Sequence, residues 1–178
     1  MPVIIEESGM IFGPFLDEHC FYIEKSNVYN KLKNGLKIAE FLLIQPDKNR
    51  LLIIESKSSS PNPDNPDNTE AQNQFDNFIA EISEKLLNTF TLGLALCLER
   101  HVDNKNEISK CFKEITHNSV KIILMLVINN HEDKWLVQLT TALQKKLRCI
   151  SKIWPLEVFA INEKTAQKEY KLIQQIVI

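Results

Sequence analysis

Glycine is scarce in this chain. Only four occur in 178 residues, and none falls in a G-x-G-x-x-G or G-K-[ST] pattern. Phosphate loops that cradle nucleotides with bare backbone are therefore excluded by motif. The four cysteines (Cys20, Cys97, Cys111 and Cys149) are scattered without a C-x-x-C pair. That spacing argues against a zinc site or a disulfide framework and for reduced thiols in a cytoplasmic protein. His19, His101, His117 and His131 stand singly among polar residues and compose no catalytic triad or histidine metal site by spacing. No apolar run approaches the ~20 residues that cross a bilayer, so no membrane partner is expected. The first ten residues, MPVIIEESGM, lack the basic start and long apolar run of a signal peptide. A formal charge of -2 gives no overall pull toward nucleic acid, so any such contact needs a local patch.

The apolar content of 44% is enough for a single domain spanning residues 1–178 to bury a core without staples. Residues 36–44 read as a strand and 51–57 as a second, with the turn-forming Pro46-Asp47-Lys48-Asn49 between them. The pair is expected to form an antiparallel hairpin. Residues 58–69, SSSPNPDNPDNT, contain no apolar residue and read as a solvated loop, with a lid over a site as one reading. Phe75, Phe78, Ile79, Ile82, Leu86 and Phe90 follow at helical spacing; Gly93 either ends or bends that helix, and Leu94 to Leu98 are able to continue it. Residues 120–128, VKIILMLVI, are apolar on both faces, as in a central strand. A helix through Trp135 to Leu147, a strand over 156–161 and a helix over 163–176 complete an α/β order: one mixed sheet flanked by helices. A short helix is expected over 25–33, and the residues before it give no clear element.

Strand alternation puts Glu55 and Lys57 on one face. A turn centred between Asp47 and Lys48 gives paired residues an index sum of 95, which also sets Glu40 level with Glu55. Two opposed carboxylates repel, so either one is held protonated or a cation lies between them. Two carboxylates with a backbone carbonyl such as that of Ser56 suit Mg²⁺ or Mn²⁺.

The stretch AEFLLIQPDKNRLLIIESK resembles the core motif of the PD-(D/E)XK phosphodiesterases, the restriction-endonuclease-like nucleases. Glu40 matches the first acid, Glu55 the second and Lys57 the lysine, and the resemblance extends over roughly residues 23–128. Ala39 stands where the nominal proline would be, and Glu40 replaces the more usual aspartate, moving the carboxylate out by one methylene. The resemblance implies a restriction-endonuclease-like core and a nuclease that hydrolyses phosphodiesters with low sequence specificity or within a complex. Glu40, Glu55 and Ser56 would hold Mg²⁺ or Mn²⁺, Lys57 would assist the water, and Glu24 is a candidate additional acid. Lys31, Lys33 and Lys37 are candidate phosphate contacts. The implied partner is nucleic acid, DNA ahead of RNA, with a homodimer or a larger complex as further options.

Other Glu-x-Lys or Asp-x-Lys triplets, at Glu169 to Lys171 and Asp103 to Lys105, read as solvated polar runs. The basic group Lys145, Lys146, Arg148 and Lys152 reads as cations complementing a helix C-terminus. The competing functional class is a non-catalytic binding module that keeps the same fold.

Overall fold

A computed structural model describes residues 2–61, 69–114 and 119–174. Its centre is a five-stranded mixed sheet built from β3 (Cys20–Phe21), β4 (Phe41–Gln45), β5 (Arg50–Lys57), β6 (Lys121–Ile128) and β7 (Glu157–Asn162), in that spatial order. The first three strands pair antiparallel, while β5, β6 and β7 run parallel to one another. A separate hairpin, β1 (Pro2–Glu7) and β2 (Met10–Leu16), comes from the part of the sequence that gave no clear element.

Strand alternation divides the core into two faces. Leu42, Leu51, Ile53, Leu124 and Leu126 face a layer of helices: α1 (Asn27–Leu32), α2 (Thr69–Cys97), α3 (Lys110–Glu114), α4 (Asp133–Lys146) and α5 (Arg148–Ile153) lie on or around that side. Phe41, Leu43, Leu52, Ile54 and Met125 face the hairpin residues Ile5, Met10 and Phe12, together with Ala166 of α6 (Glu163–Lys168). Strand β6 is covered on both sides, and its residues Leu124 to Ile128 are fully buried, which explains an unbroken apolar run.

The hairpin register is the one the turn implies. Phe41 pairs with Ile54 and Gln45 with Arg50, an index sum of 95 throughout, across a 3₁₀ turn at Pro46–Lys48 that ends with Asn49 in the left-handed region. Asparagine tolerates that conformation because its side chain is short and bonds locally; here it reaches the carbonyl of Ser119.

Two elements differ from the sequence reading, and a third settles an open one. Residues 36–40 are not in the strand, which begins only at Phe41. The amide of Ala39 donates instead to Thr89 Oγ1 at 2.6 Å, and Asn88 Nδ2 donates to the carbonyl of Lys37 at 2.9 Å. Side chains of α2 have taken over the backbone pairing that a sheet neighbour would supply. At Gly93, where the sequence leaves both an end and a continuation open, the long helix runs on to Cys97. A Cβ at Gly93 would come within 2.8 Å of Leu42 Cδ2, so the bare Cα lets the helix lie directly on β4. The last helix stops at Lys168, after which Ile173 bridges to Phe12 and ties the segment to the hairpin. Of the loop at 58–69, residues 62–68 lie outside the described residues, and the lid reading falls there.

Thr89 is fully buried and also donates to the carbonyl of Lys85 at 2.8 Å. Thr89→Val keeps the volume but leaves the amide of Ala39 without an acceptor. The expected loss is about 1–3 kcal/mol in denaturant unfolding. A change within the error of the wild-type value would show that Thr89 does not hold the segment leading to Glu40.

Candidate functional site

The C-terminal end of β5 carries Glu55, Ser56 and Lys57 beyond the last ladder pair with β4. Alternation points Glu55 and Lys57 to the face under α2, and Ser56 to the opposite face, where its hydroxyl lies 3.2 Å from Ser8 Oγ in the β1–β2 turn. Glu40, one residue before β4, is fixed by its own backbone. Its amide donates to the carbonyl of Ile54 at 3.1 Å, and its carbonyl accepts from the amide of Glu24 at 3.2 Å. Its side chain turns back to the end of β5, where Oε2 accepts from the amide of Ser56 at 2.8 Å. The two acids expected to be level are therefore brought together, and both are buried, Glu40 at 6% exposure and Glu55 at 0%.

Glu55 Oε1 is held by two ammonium groups, Lys57 Nζ at 3.0 Å and Lys85 Nζ at 2.7 Å. Glu55 Oε2 has no donor among the described residues, although it is out of water. Lys57 also lies 3.8 Å from Glu81 Oε1, at the rim. Burial, followed by the charge of Glu55 and a proton shared with it, pushes the Glu40 carboxyl up from 4.5 to about 9. The amide of Ser56 and the charge of Lys85 pull the other way without overcoming burial. At neutral pH, then, Glu40 is held as the carboxylic acid.

Lys85 is the site residue that the motif does not announce. It lies on α2, one residue before the core residue Leu86 and four before Thr89, and its side chain is 16% exposed. Burial lowers its pKa, but the neighbouring acids, Glu55 first and then Glu40 and Glu24, raise it overall. The sequence signal was a charge on the edge of the α2 apolar stripe, where a helix meets the sheet rather than solvent. Glu24 lies in a 3₁₀ turn, Ile23–Lys25, and not on a helix. Beyond its backbone bond to Glu40, its charge acts on Lys85 and on Tyr22, whose hydroxyl donates to Glu7 of the hairpin.

The candidate phosphate lysines are not drawn into this cluster. Lys31 Nζ bonds Asn104 Oδ1 at 3.2 Å, and Lys33 and Lys37 are exposed, so the ammoniums that reach Glu55 are those of Lys57 and Lys85. Trp154 is 40% exposed and meets Phe90 edge-on, so it covers the end of α2 rather than filling the core.

The same edge continues across the parallel strands, where Lys57 pairs with Ile128 and Ile128 with Asn162. Crevices at the carboxyl ends of parallel strands are the usual ligand sites of α/β sheets. Here the edge opens into a cavity of about 270 Å³ lined by Asn130, His131, Asp133, Asn162 and Glu163 among others. Ser60 Oγ lies 3.2 Å from His131 Nε2, which joins the segment after Lys57 to that cavity. On the other side, Asn129 donates to the carbonyls of Ser8 and Gly9, and a Cβ at Gly9 would strike its amide at 2.8 Å. The hairpin turn is thus pinned beside the acids.

Among the described residues, no three acid, histidine or cysteine side chains converge to cage a metal. The donors present are two carboxylates, one with an unsatisfied buried oxygen, beside backbone carbonyls. That set is too sparse for structural Zn²⁺ or a protein-caged Ca²⁺. It fits Mg²⁺ or Mn²⁺, which commonly take one or two carboxylates and complete their shell with water and substrate phosphate.

Glu40 ionises near 4.5 in the unfolded chain and near 9 in the folded one. A raised carboxyl pKa means that its contribution is fully present below about 4.5 and is lost as pH climbs toward about 9. Glu40→Gln retains an oxygen for the Ser56 amide and cannot ionise. Its melting temperature should therefore gain on wild type steadily across that window. A constant difference between the two from pH 5 to pH 9 would contradict the assignment.

No family model, no curated protein and no solved structure matches this chain.

Proposed function

We propose that this protein is a metal-dependent nuclease that hydrolyses phosphodiester bonds in nucleic acid, DNA rather than RNA. The observation that carries this reading is the buried Glu40–Glu55 pair, with an unpartnered oxygen on Glu55 and Lys57 two residues further along the same strand face. Support also comes from the motif that places these residues and from their position at the carboxyl edge of a mixed sheet.

Glu40 and Glu55 would hold Mg²⁺ or Mn²⁺ through Glu55 Oε2 and the Glu40 carboxyl once its proton leaves, with the carbonyl of Ser56 as a further donor. When bound, the ion lowers the pKa of a water and polarises a phosphoryl oxygen. Lys57, half-exposed at the mouth of the site, orients the attacking water or offsets charge on the phosphoryl group as it builds. In the reaction a water oxygen bonds to phosphorus, one P–O bond breaks, and the departing oxygen takes a proton. A formal charge of -2 gives no overall pull toward nucleic acid, so low sequence specificity, a second copy or a larger complex fits this reading best.

One observation favours a reading from another class. Glu55 Oε1 is already neutralised by two ammoniums, as in a closed ion cluster that serves only the fold of a binding module. Cleavage separates the two. Supercoiled DNA, linear DNA, single-stranded DNA and RNA are incubated with Mn²⁺ or Mg²⁺ and either wild type or Lys57→Ala prepared in parallel. The nuclease reading expects wild type to cut DNA and the variant to lose roughly 100-fold or more, the scale on which a single electrostatic contact to a transition state acts. Equal cutting by both, or none by a folded wild type, would overturn it.

A further inference from the structure

The sequence motif supplies one ammonium to the acid pair; the fold supplies a second. Lys85 is the closer of the two to Glu55 Oε1, 2.7 Å against 3.0 Å, and the less exposed, 16% against 28%. It is held there by its position on the 29-residue α2, whose next turn is tied to Ala39 through Thr89. A long flexible lysine at a solvated rim would swing away from an incoming ion at little cost. Lys85 has no such freedom, because its stem lies between helix and sheet and its ammonium is fixed on a buried carboxylate.

We propose that Lys85 is a positioning residue that holds down the affinity of the acid pair for a divalent cation, so that the cation binds well only when a phosphodiester adds its negative charge. The inference rests on the divalent-ion reading of Glu40 and Glu55. A cation held by Glu55 and Glu40 would share the Glu55 carboxylate with the ammonium of Lys85. Like charges on one carboxylate, shielded from water, repel strongly. The acids facing Lys85 are Glu55 on β5, Glu40 before β4 and Glu24 in the 3₁₀ turn. Glu55, the acid that Lys85 touches, would also be a ligand of the cation, so a cation would draw on the same negative charge that Lys85 uses. A phosphodiester anion restores the balance for both. Cation and substrate must then promote one another's binding by the same factor.

The test is Mn²⁺ affinity, measured by calorimetry on the full chain, for wild type, Lys85→Gln, Lys85→Met and Lys85→Arg. Each is measured with and without a phosphorothioate DNA octamer as the anionic probe. Lys85→Gln keeps a donor for Glu55 and serves if Lys85→Met fails to fold. The neutral variants should bind Mn²⁺ roughly tenfold more tightly than wild type, within the usual range of coupling between sites. Lys85→Arg, which keeps the charge, should bind like wild type. The octamer should tighten Mn²⁺ binding more in wild type than in the neutral variants. If the neutral variants and wild type bind Mn²⁺ equally, Lys85 has no such role although the cation site stands. If none of the folded proteins binds Mn²⁺, the divalent-ion reading fails and this inference falls with it.

Discussion

Two glutamates lie face to face beneath a helix, and they cannot both be charged without a counter-ion. Much of the structure around them follows from that constraint. Glu55 is buried because β5 is the strand where the sheet changes from antiparallel to parallel, with α2 across its face. Glu40 is buried because its chain leaves the ladder just before β4 and is taken up by α2 side chains. A carboxyl in such a place is neutral, paired or bound to a cation. The protein uses the first two at once: burial raises the Glu40 carboxyl so that it stays neutral, and two ammoniums pair with Glu55 Oε1.

The parts legible in the sequence were those governed by local periodicity. Four aliphatic residues followed by Glu-x-Lys identify β5, and a single turn cluster fixes the register that brings Glu40 to it. The apolar stripe from Phe75 to Phe90 identifies α2, and the unbroken run before Asn129 identifies the central strand. The mixed sheet with flanking helices follows from the order of these elements.

Features set by distant partners were not legible. Leu36 to Ala39 have strand-like composition, yet the groups that satisfy them, Asn88 and Thr89, belong to a helix some fifty residues later in the chain. The β1–β2 hairpin has short, interrupted apolar runs and becomes an element only against the second face of the sheet, where Phe12 meets Phe41 edge-on. Lys85 reads as one more surface lysine until the position of α2 over β5 is known. Gly93 reads as an end or a bend with continuation open, and only the close helix–strand contact shows its purpose.

No helix among the described residues is long and apolar enough to cross a membrane. The site edge faces outward at the carboxyl ends of three parallel strands, bounded by the hairpin turn on one side and the cavity beside His131 on the other. Among the described residues, no third acid, histidine or cysteine converges on the acid pair to complete a metal cage.

The most direct measurement is a ¹³C NMR titration of the glutamate side-chain carboxyls in the metal-free protein, with Glu40→Gln and Glu55→Gln used to assign the resonances. A shared proton between the acids requires one glutamate carboxyl to remain protonated at neutral pH and to titrate near 9, with its signal absent from Glu40→Gln. If every glutamate in wild type is ionised by about pH 6, as unperturbed carboxyls are, then the two acids do not confront one another and the site has been misread.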